Sequence, residues 1–97
     1  GYPGVLHGGV ISSILDGAMG HCMFVRGQTA VTAEMTIRFR HPVVTNQEAA
    51  VSARIARSSH PLYLLEAEIL QAGQVKATAK AKFLDRPQLI DASEEIS

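Results

Sequence analysis

The chain has few features that would link it to a disulfide scaffold, a membrane or a polyanion. Cys22 is its one cysteine, which excludes an internal disulfide and fits a reducing compartment. Nine basic residues balance nine acidic ones, so no excess charge attracts nucleic acid or an anionic membrane surface. No apolar run approaches the roughly 18 residues of a membrane span, and no signal-peptide pattern opens the chain. We therefore predict a cytoplasmic protein that binds neither membrane nor nucleic acid.

Several common catalytic and metal-binding patterns are also missing. The four histidines show no metal-ligand spacing, and Cys22 has no partner nearby in the sequence, so we predict no metal site. Ser12 and Ser13 lack the G-x-S-x-G setting of a nucleophilic serine. The sequence therefore gives no candidate for a nucleophilic serine of this kind.

Length and composition indicate one globular domain over residues 1–97. Hydrophobic residues make up 46% of the chain and charged residues 19%, as in ordinary globular proteins. A domain of this size buries a modest fraction of its surface, so self-association would supplement its stability. The polar tail is expected to fray from about residue 88. The chain opens at Gly1 within a loop rich in glycine and proline, so we expect an N-terminal piece to be missing.

Hydrophobic periodicity predicts one helix followed by four strands. Apolar residues from about Gly8 to Phe24 form one helical stripe, which contains Cys22 as inert core. Apolar and polar residues then alternate over four segments, which predicts half-buried strands: residues 31–40, 49–56, 65–69 and 75–83. Short turn-prone connectors at 58–61 and 71–74 join the last three strands into an antiparallel meander. We expect Glu66 and Glu68 to pair with lysines of the last strand.

These elements predict an α+β fold in which an antiparallel sheet wraps around one central helix. The apolar face of the sheet is rich in alanine, so the helix can lie close to it. The opposite face of the helix carries mostly small residues, namely Gly9, Ser13, Asp16 and Gly20. Such a face is usually exposed to solvent, but glycine costs about 1 kcal/mol relative to alanine in a helix. The glycines therefore indicate that a ligand or another backbone packs there.

The start of the helix is a candidate site for a developing negative charge. A helix N-terminus has unpaired N–H groups and a positive dipole end, and Gly8 and Gly9 leave it open to close approach. Asp16 lies eight residues further on, about 12 Å along the axis. A reacting carbonyl must lie within about 3 Å of both its oxyanion donor and its attacking group. If Asp16 is catalytic, it must therefore act with the helix start of a second, antiparallel subunit.

The residues His7-Gly8-Gly9, Asp16 and the strand AVTAEMTIRFRHPV resemble the PaaI-like hotdog-fold acyl-CoA thioesterases over about residues 4–84. The resemblance implies a highly curved antiparallel sheet around one long helix, assembled as homodimers and often as dimers of dimers. It also implies hydrolysis of an acyl-CoA thioester at the subunit interface, with no cofactor because CoA is part of the substrate. The family's first strand, which precedes the His-Gly-Gly loop, is not present in this chain.

The resemblance also implies individual roles. Asp16 would be the nucleophile or the general base, the Gly8 N–H would polarise the thioester carbonyl, and His7 would help to place that carbonyl. Thr32 stands where relatives have a Ser or Thr that positions the water or the carboxylate. The remaining substrate- and CoA-binding residues are expected to be Gly9, Glu34, Arg57, Ser58, Ser59 and His60.

The chain departs from the family pattern at two positions, and two other functions remain open as alternatives. Relatives often have Asn where this chain has Gly1, and many have Glu where it has Gly17, which leaves Asp16 as the one carboxylate on the helix. One alternative function is a hotdog hydratase or dehydratase acting on an acyl thioester. The other is a non-catalytic module that binds or senses acyl-CoA. The sequence does not specify the acyl group.

Overall fold

Over residues 4–85 the protein folds as one helix followed by four strands, as its periodicity predicts. The computed structural model describes residues 4–85. Its elements are α1 (Gly8–Val25), β1 (Ala30–Phe39), β2 (Ala50–Ser59), β3 (Leu62–Gln71) and β4 (Gln74–Asp85). The expected frayed tail from about residue 88 lies outside the described residues.

The four strands form one antiparallel sheet in the order β1-β4-β3-β2. The predicted meander of β2, β3 and β4 is confirmed, and its hairpins turn at His60-Pro61 and at Ala72-Gly73. Ala72 and Gly73 both have positive φ, the backbone geometry of a tight hairpin turn. β1 pairs with β4, so the chain crosses the sheet between β1 and β2.

The core lies between α1 and one face of the sheet. Ile11, Leu15, Met19 and Met23 recur every fourth residue, and each is at most 3% exposed. Half of the buried apolar residues on the facing sheet are alanine, which lets the helix approach closely there: Ala67, Ala77, Ala79 and Ala81. Burying one large apolar side chain contributes about 1.5–3 kcal/mol. This single line of helix residues therefore holds α1 against the sheet.

An irregularity in β1 corrects the predicted strand pattern. The register with β4 shifts between Thr32 and Glu34, so the alternation of buried and exposed residues breaks at Ala33. Val31 is 36% exposed rather than buried. Thr32 instead lies opposite the buried Phe83, and opposed residues project from the same face of a sheet. The bulge therefore turns the Thr32 side chain toward the helix.

The charged residues of the outer sheet face pair differently from the prediction. Glu66 accepts a hydrogen bond from the Arg54 guanidinium of β2 at 2.6 Å, although Lys80 lies opposite it on β4. The Lys82 Nζ lies 4.0 Å from the Glu34 Oε2 of β1. The expected pairing of Glu66 and Glu68 with lysines of the last strand was therefore wrong for Glu66. Exposed pairs of this kind contribute at most about 1 kcal/mol.

The central helix is long and apolar enough to cross a membrane when judged by length and composition alone. A helix that packs in a protein core passes the same test, and one face of α1 is buried against the sheet. The test is therefore weak evidence for a membrane span.

Candidate active site

His7 caps the N-terminus of the central helix. Its Nδ1 accepts a hydrogen bond from the Gly9 N–H at 2.9 Å, and its backbone is extended (φ −67°, ψ 146°). Nδ1 must be unprotonated in this bond, which places the proton of the neutral ring on Nε2. A Cβ on residue 9 would lie 3.3 Å from His7 Nδ1. Glycine at position 9 therefore leaves the space that the imidazole cap needs.

The N–H of Gly8 is left available at the same helix end. The N–H groups of Val10 and Ile11 donate to the carbonyl oxygen of His7, at 3.0 and 3.1 Å, and the Gly9 N–H is used by the cap. Within residues 4–85 the Gly8 N–H has no acceptor. It therefore remains free to bind an anionic or polarised oxygen at the positive end of the helix dipole.

Asp16 is held by a hydroxyl from the first strand. Thr32 Oγ1 donates a hydrogen bond to Asp16 Oδ1 at 2.7 Å. Asp16 is partly buried on the small-residue face of α1, and the bulge in β1 aims Thr32 at it. The second carboxylate oxygen, Oδ2, has no hydrogen-bond partner within residues 4–85. One oxygen of the Asp16 carboxylate is therefore fixed by a hydrogen bond, and the other is available to contact a ligand.

The small-residue face of α1 and the neighbouring Gly17 are open within one chain. A Cβ added to Gly17 or Gly20 would have no atom within 4 Å, apart from its own helix backbone. The cap explains the glycine at position 9, but packing within residues 4–85 does not explain those at 17 and 20. Gly8 and Asp16 are eight residues apart on one continuous helix, about 12 Å along its axis. One chain therefore does not bring the Gly8 N–H and Asp16 together.

The other predicted binding residues lie in three separate places. Gly9 lines a shallow open groove with His7, Val10, Ser13 and Ile14. Glu34 lies on the outer face of the sheet, beside Lys82, and therefore on the side away from Asp16. Arg57, Ser58 and Ser59 form the exposed end of β2, and His60 lies in the turn that follows.

A second register shift, between Ile55 and Arg57, determines the direction of the β2 residues. Ser58 lies opposite the buried Tyr63 and so faces the helix side, whereas Arg57 lies opposite Leu64 on the outer face. His60 contacts the Tyr63 hydroxyl (Nδ1 to Oη, 3.2 Å) and the Asp85 carboxylate (Nε2 to Oδ2, 3.5 Å). These contacts fix the position of the turn.

Sequence reasoning missed Gln71, which was expected in an ordinary turn. It is the final residue of β3 and is 2% exposed. The buried alternation of Leu65, Ala67 and Ile69 continues to position 71, and a polar residue on a buried face needs hydrogen-bond partners. This alternation, extended by two residues from Ile69, predicts that Gln71 is buried.

No group of three or more His, Cys, Asp or Glu side chains positioned to hold a metal occurs within residues 4–85.

Comparison with known proteins identifies the family. The family model described as the thioesterase superfamily matches residues 3–78. The chain belongs to the thioesterase superfamily. One similar solved structure, of another thioesterase superfamily protein, is 26% identical with a TM-score of 0.82, over 88% of this chain and 42% of the other. A Bacillus halodurans protein solved with CoA is 26% identical with a TM-score of 0.75, over 82% of this chain and 55% of the other.

This superfamily member therefore spans about half the length of those two relatives. The fold matches hotdog thioesterase structures, as the sequence predicted. A hypothetical thioesterase of Streptococcus pneumoniae also shares the fold, at 15% identity and a TM-score of 0.84, over 89% of this chain and 71–72% of the other.

Proposed function

We propose that the protein hydrolyses an acyl-CoA thioester to a free acid and CoA. The observation that carries this proposal is the hydrogen bond from the Thr32 hydroxyl, which orients the Asp16 carboxylate on the same helix that offers the free Gly8 N–H. A carboxylate and an oxyanion donor are sufficient to attack a thioester, which needs neither a metal nor a serine nucleophile. Membership of the superfamily and the relative solved with CoA support this substrate class.

The chemistry follows from the two groups. Asp16 either removes a proton from the water that attacks the thioester carbon or attacks that carbon itself. In both cases negative charge develops on the carbonyl oxygen, which accepts a hydrogen bond from the Gly8 N–H. The carbon–sulfur bond then breaks, and the thiol of CoA leaves after taking up a proton. If Asp16 attacks directly, water hydrolyses the resulting anhydride.

The geometry further supports a homodimer with two shared sites. The two groups lie about 12 Å apart in one chain, whereas both must come within about 3 Å of the substrate's reacting atoms. A twofold axis beside the open face at Gly17 and Gly20 would place Asp16 of one subunit near the Gly8 N–H of the other. We propose this dimer, its pairing into a dimer of dimers, and a cytoplasmic location.

The remaining predicted residues are proposed to bind the substrate. His7 would help to place the thioester carbonyl through its Nε2–H, because its Nδ1 is occupied by the helix cap. Arg57, Ser58, Ser59 and His60 would bind the nucleotide and phosphates of CoA from the exposed end of β2. Gly9 would line the site at the helix start. Glu34 lies on the outer sheet face, so it would contact a substrate that extends to that face.

The first experiment measures thiol release from a panel of acyl-CoAs by wild-type protein, Asp16→Ala and Asp16→Asn. Asn can still accept the Thr32 hydrogen bond but can neither attack nor take a proton, so it is the matched control for orientation. We expect both variants to lose at least about a thousandfold in kcat while still binding CoA. Turnover that survives in Asp16→Asn would contradict the assignment. Binding without turnover in wild-type protein would favour an acyl-CoA sensor, and hydration of an enoyl thioester would favour a hydratase.

A second experiment removes the oxyanion donor without removing the helix. Gly8 is the first helical residue, where proline is tolerated, and His7 already has the extended backbone required before proline. Gly8→Pro therefore deletes the N–H, whereas Gly8→Ala adds a Cβ and keeps the N–H. We expect kcat to fall about a hundredfold or more in Gly8→Pro and much less in Gly8→Ala. Equal losses in both variants would show that space, not the donor, is responsible.

Mixing the two inactive chains tests the shared site. A heterodimer of Asp16→Ala and Gly8→Pro contains one intact site, made from Asp16 of the second chain and Gly8 of the first. Random re-association should therefore restore about a quarter of wild-type activity. If both groups acted within one chain, no mixture would recover activity.

A further inference from the structure

Gln71 is a buried polar residue that the proposed mechanism leaves without a role. It is 2% exposed and is the one polar or charged side chain in the core formed by residues 4–85. Burying an amide side chain destabilises the folded state unless its donors and acceptor are satisfied. The hydrogen bonds of Gln71 therefore indicate what it holds in place.

Those hydrogen bonds all go to the loop between β1 and β2. Gln71 Oε1 accepts from the Val44 N–H at 2.8 Å. Its Nε2 donates to the Val44 carbonyl oxygen at 2.8 Å and to the Gln47 carbonyl oxygen at 3.3 Å. The side-chain amide thus binds both backbone polar groups of Val44, as a neighbouring strand would.

The other side of the same loop holds the segment that leads into the helix. The Leu6 N–H donates to the Val43 carbonyl oxygen at 2.9 Å, and the Thr45 N–H donates to the Gly4 carbonyl oxygen at 2.9 Å. These two bonds flank the bridge between Val5 and Val44. Gln71 and the segment Gly4–Leu6 therefore hold residues 43–45 from opposite sides. Only His7 separates Leu6 from Gly8.

We propose that Gln71 is a positioning residue for the Gly8 N–H; this rests on the proposed function, in which that N–H is the oxyanion donor. The connection runs from the Gln71 amide through residues 43–45 to Leu6, and from there to the His7 cap and Gly8. At its start the loop is also tied to the sheet, where the N–H groups of Arg40 and His41 donate to the Lys76 carbonyl oxygen at 2.8 and 3.0 Å. Loss of the Gln71 bonds would therefore free residues 43–47 and the helix entry while leaving the sheet intact.

The test compares Gln71→Met with Leu65→Ala in the same chain. Methionine keeps the length and burial of the side chain but removes all three hydrogen bonds. Leu65, 1% exposed in the middle of β3, provides a destabilised control with no bond to the loop. We expect Gln71→Met to lower kcat about tenfold or more, with KM within about twofold, beyond any change in the control. Gln71→Glu keeps the acceptor for the Val44 N–H but sets a carboxylate oxygen, in place of the Nε2 donor, against the Val44 and Gln47 carbonyl oxygens, so we expect it to lose kcat as well.

Amide hydrogen exchange by NMR provides a readout that does not depend on turnover. In Gln71→Met we expect faster exchange at Val44, Leu6 and Gly9, with exchange in the middle of α1 matching the control. Unchanged exchange at Gly9, or a kcat no lower than that of the control, would overturn the proposal. If wild-type protein hydrolyses no acyl-CoA, the proposed function fails, while exchange at Gly9 still tests whether Gln71 positions the helix entry. If Gln71→Met does not fold, Gln71→Leu, which also removes all three hydrogen bonds, decides by the same two readouts.

Discussion

Replacing Thr32 with valine isolates the hydroxyl that orients Asp16. Valine has nearly the same shape as threonine and suits a β-strand, so the bulge and its packing should persist. The change removes one hydrogen bond, of 2.7 Å, from Thr32 Oγ1 to Asp16 Oδ1. Because Thr32 is exposed, we expect the free energy of unfolding to fall by no more than about 1 kcal/mol.

The effect on turnover should be larger than the effect on stability. Without the hydroxyl, the Asp16 carboxylate can rotate, and the oxygen that attacks or takes the proton is no longer fixed. We expect kcat to fall about 10- to 100-fold, which corresponds to about 1.4–2.7 kcal/mol in activation free energy. KM should change little, since the hydroxyl orients Asp16 rather than CoA.

The assay follows thiol release under saturating acyl-CoA, with unfolding measured in parallel by chemical denaturation. Thr32→Ser is the matched control, because it restores the hydroxyl at the same position and should recover most of kcat. A Thr32→Val protein with wild-type kcat would refute the argument. A Thr32→Ser protein as impaired as Thr32→Val would show that the strand bulge, rather than the hydroxyl, matters.

Three further substitutions test the helix. Gly9→Ala should leave the free energy of unfolding within about 1 kcal/mol of wild type, since better helix propensity offsets the lost His7 cap, yet lower kcat. Chemical denaturation measures the free energy of unfolding and thiol release measures kcat. A fall in the free energy of unfolding as large as the activation free energy lost in kcat would contradict this prediction. Gly20→Ala should stabilise an isolated chain by up to about 1 kcal/mol but weaken a dimer that packs on that face, which sedimentation and denaturation at several concentrations would reveal. Met19→Ala, at a fully buried position, should cost about 2–5 kcal/mol, against less than about 1 kcal/mol for the exposed Arg54→Ala control; similar costs would refute the assigned core.

The helix and the meander were predictable because their signals are local. The predicted apolar stripe of α1 contained all four buried helix residues, although Val10 at its start is 47% exposed, and two short turn-prone connectors identified the hairpins. Alternation of period two also placed the core alanines of β4 on one face. What alternation could not predict was the bulge at Ala33, because an extra residue in one strand depends on the partner strand. Simple alternation without this bulge places Val31 in the core and Thr32 on the outer face, the reverse of the observed arrangement.

The candidate site was predictable in its residue types and only partly in its geometry. The glycines and Asp16 were distinguished by their place on the helix face, and the resemblance suggested that Thr32 acts on the carboxylate. The sequence did not show that His7 occupies the Gly9 N–H and so leaves the Gly8 N–H free. It also gave no reason to connect Gln71 with Val44, which lies 27 residues away.

By itself, the sequence determined the order of the elements, the buried stripe of α1 and the position of Asp16 on a face of small residues, because each follows from spacing along one segment. The tertiary structure alone decided that β1 lies beside β4, that a bulge brings Thr32 to Asp16, and how the helix entry is anchored to β3. Those features depend on hydrogen bonds between residues far apart in the chain, such as Thr32 to Asp16 and Gln71 to Val44. Their geometry exists only once the sheet has closed around the helix.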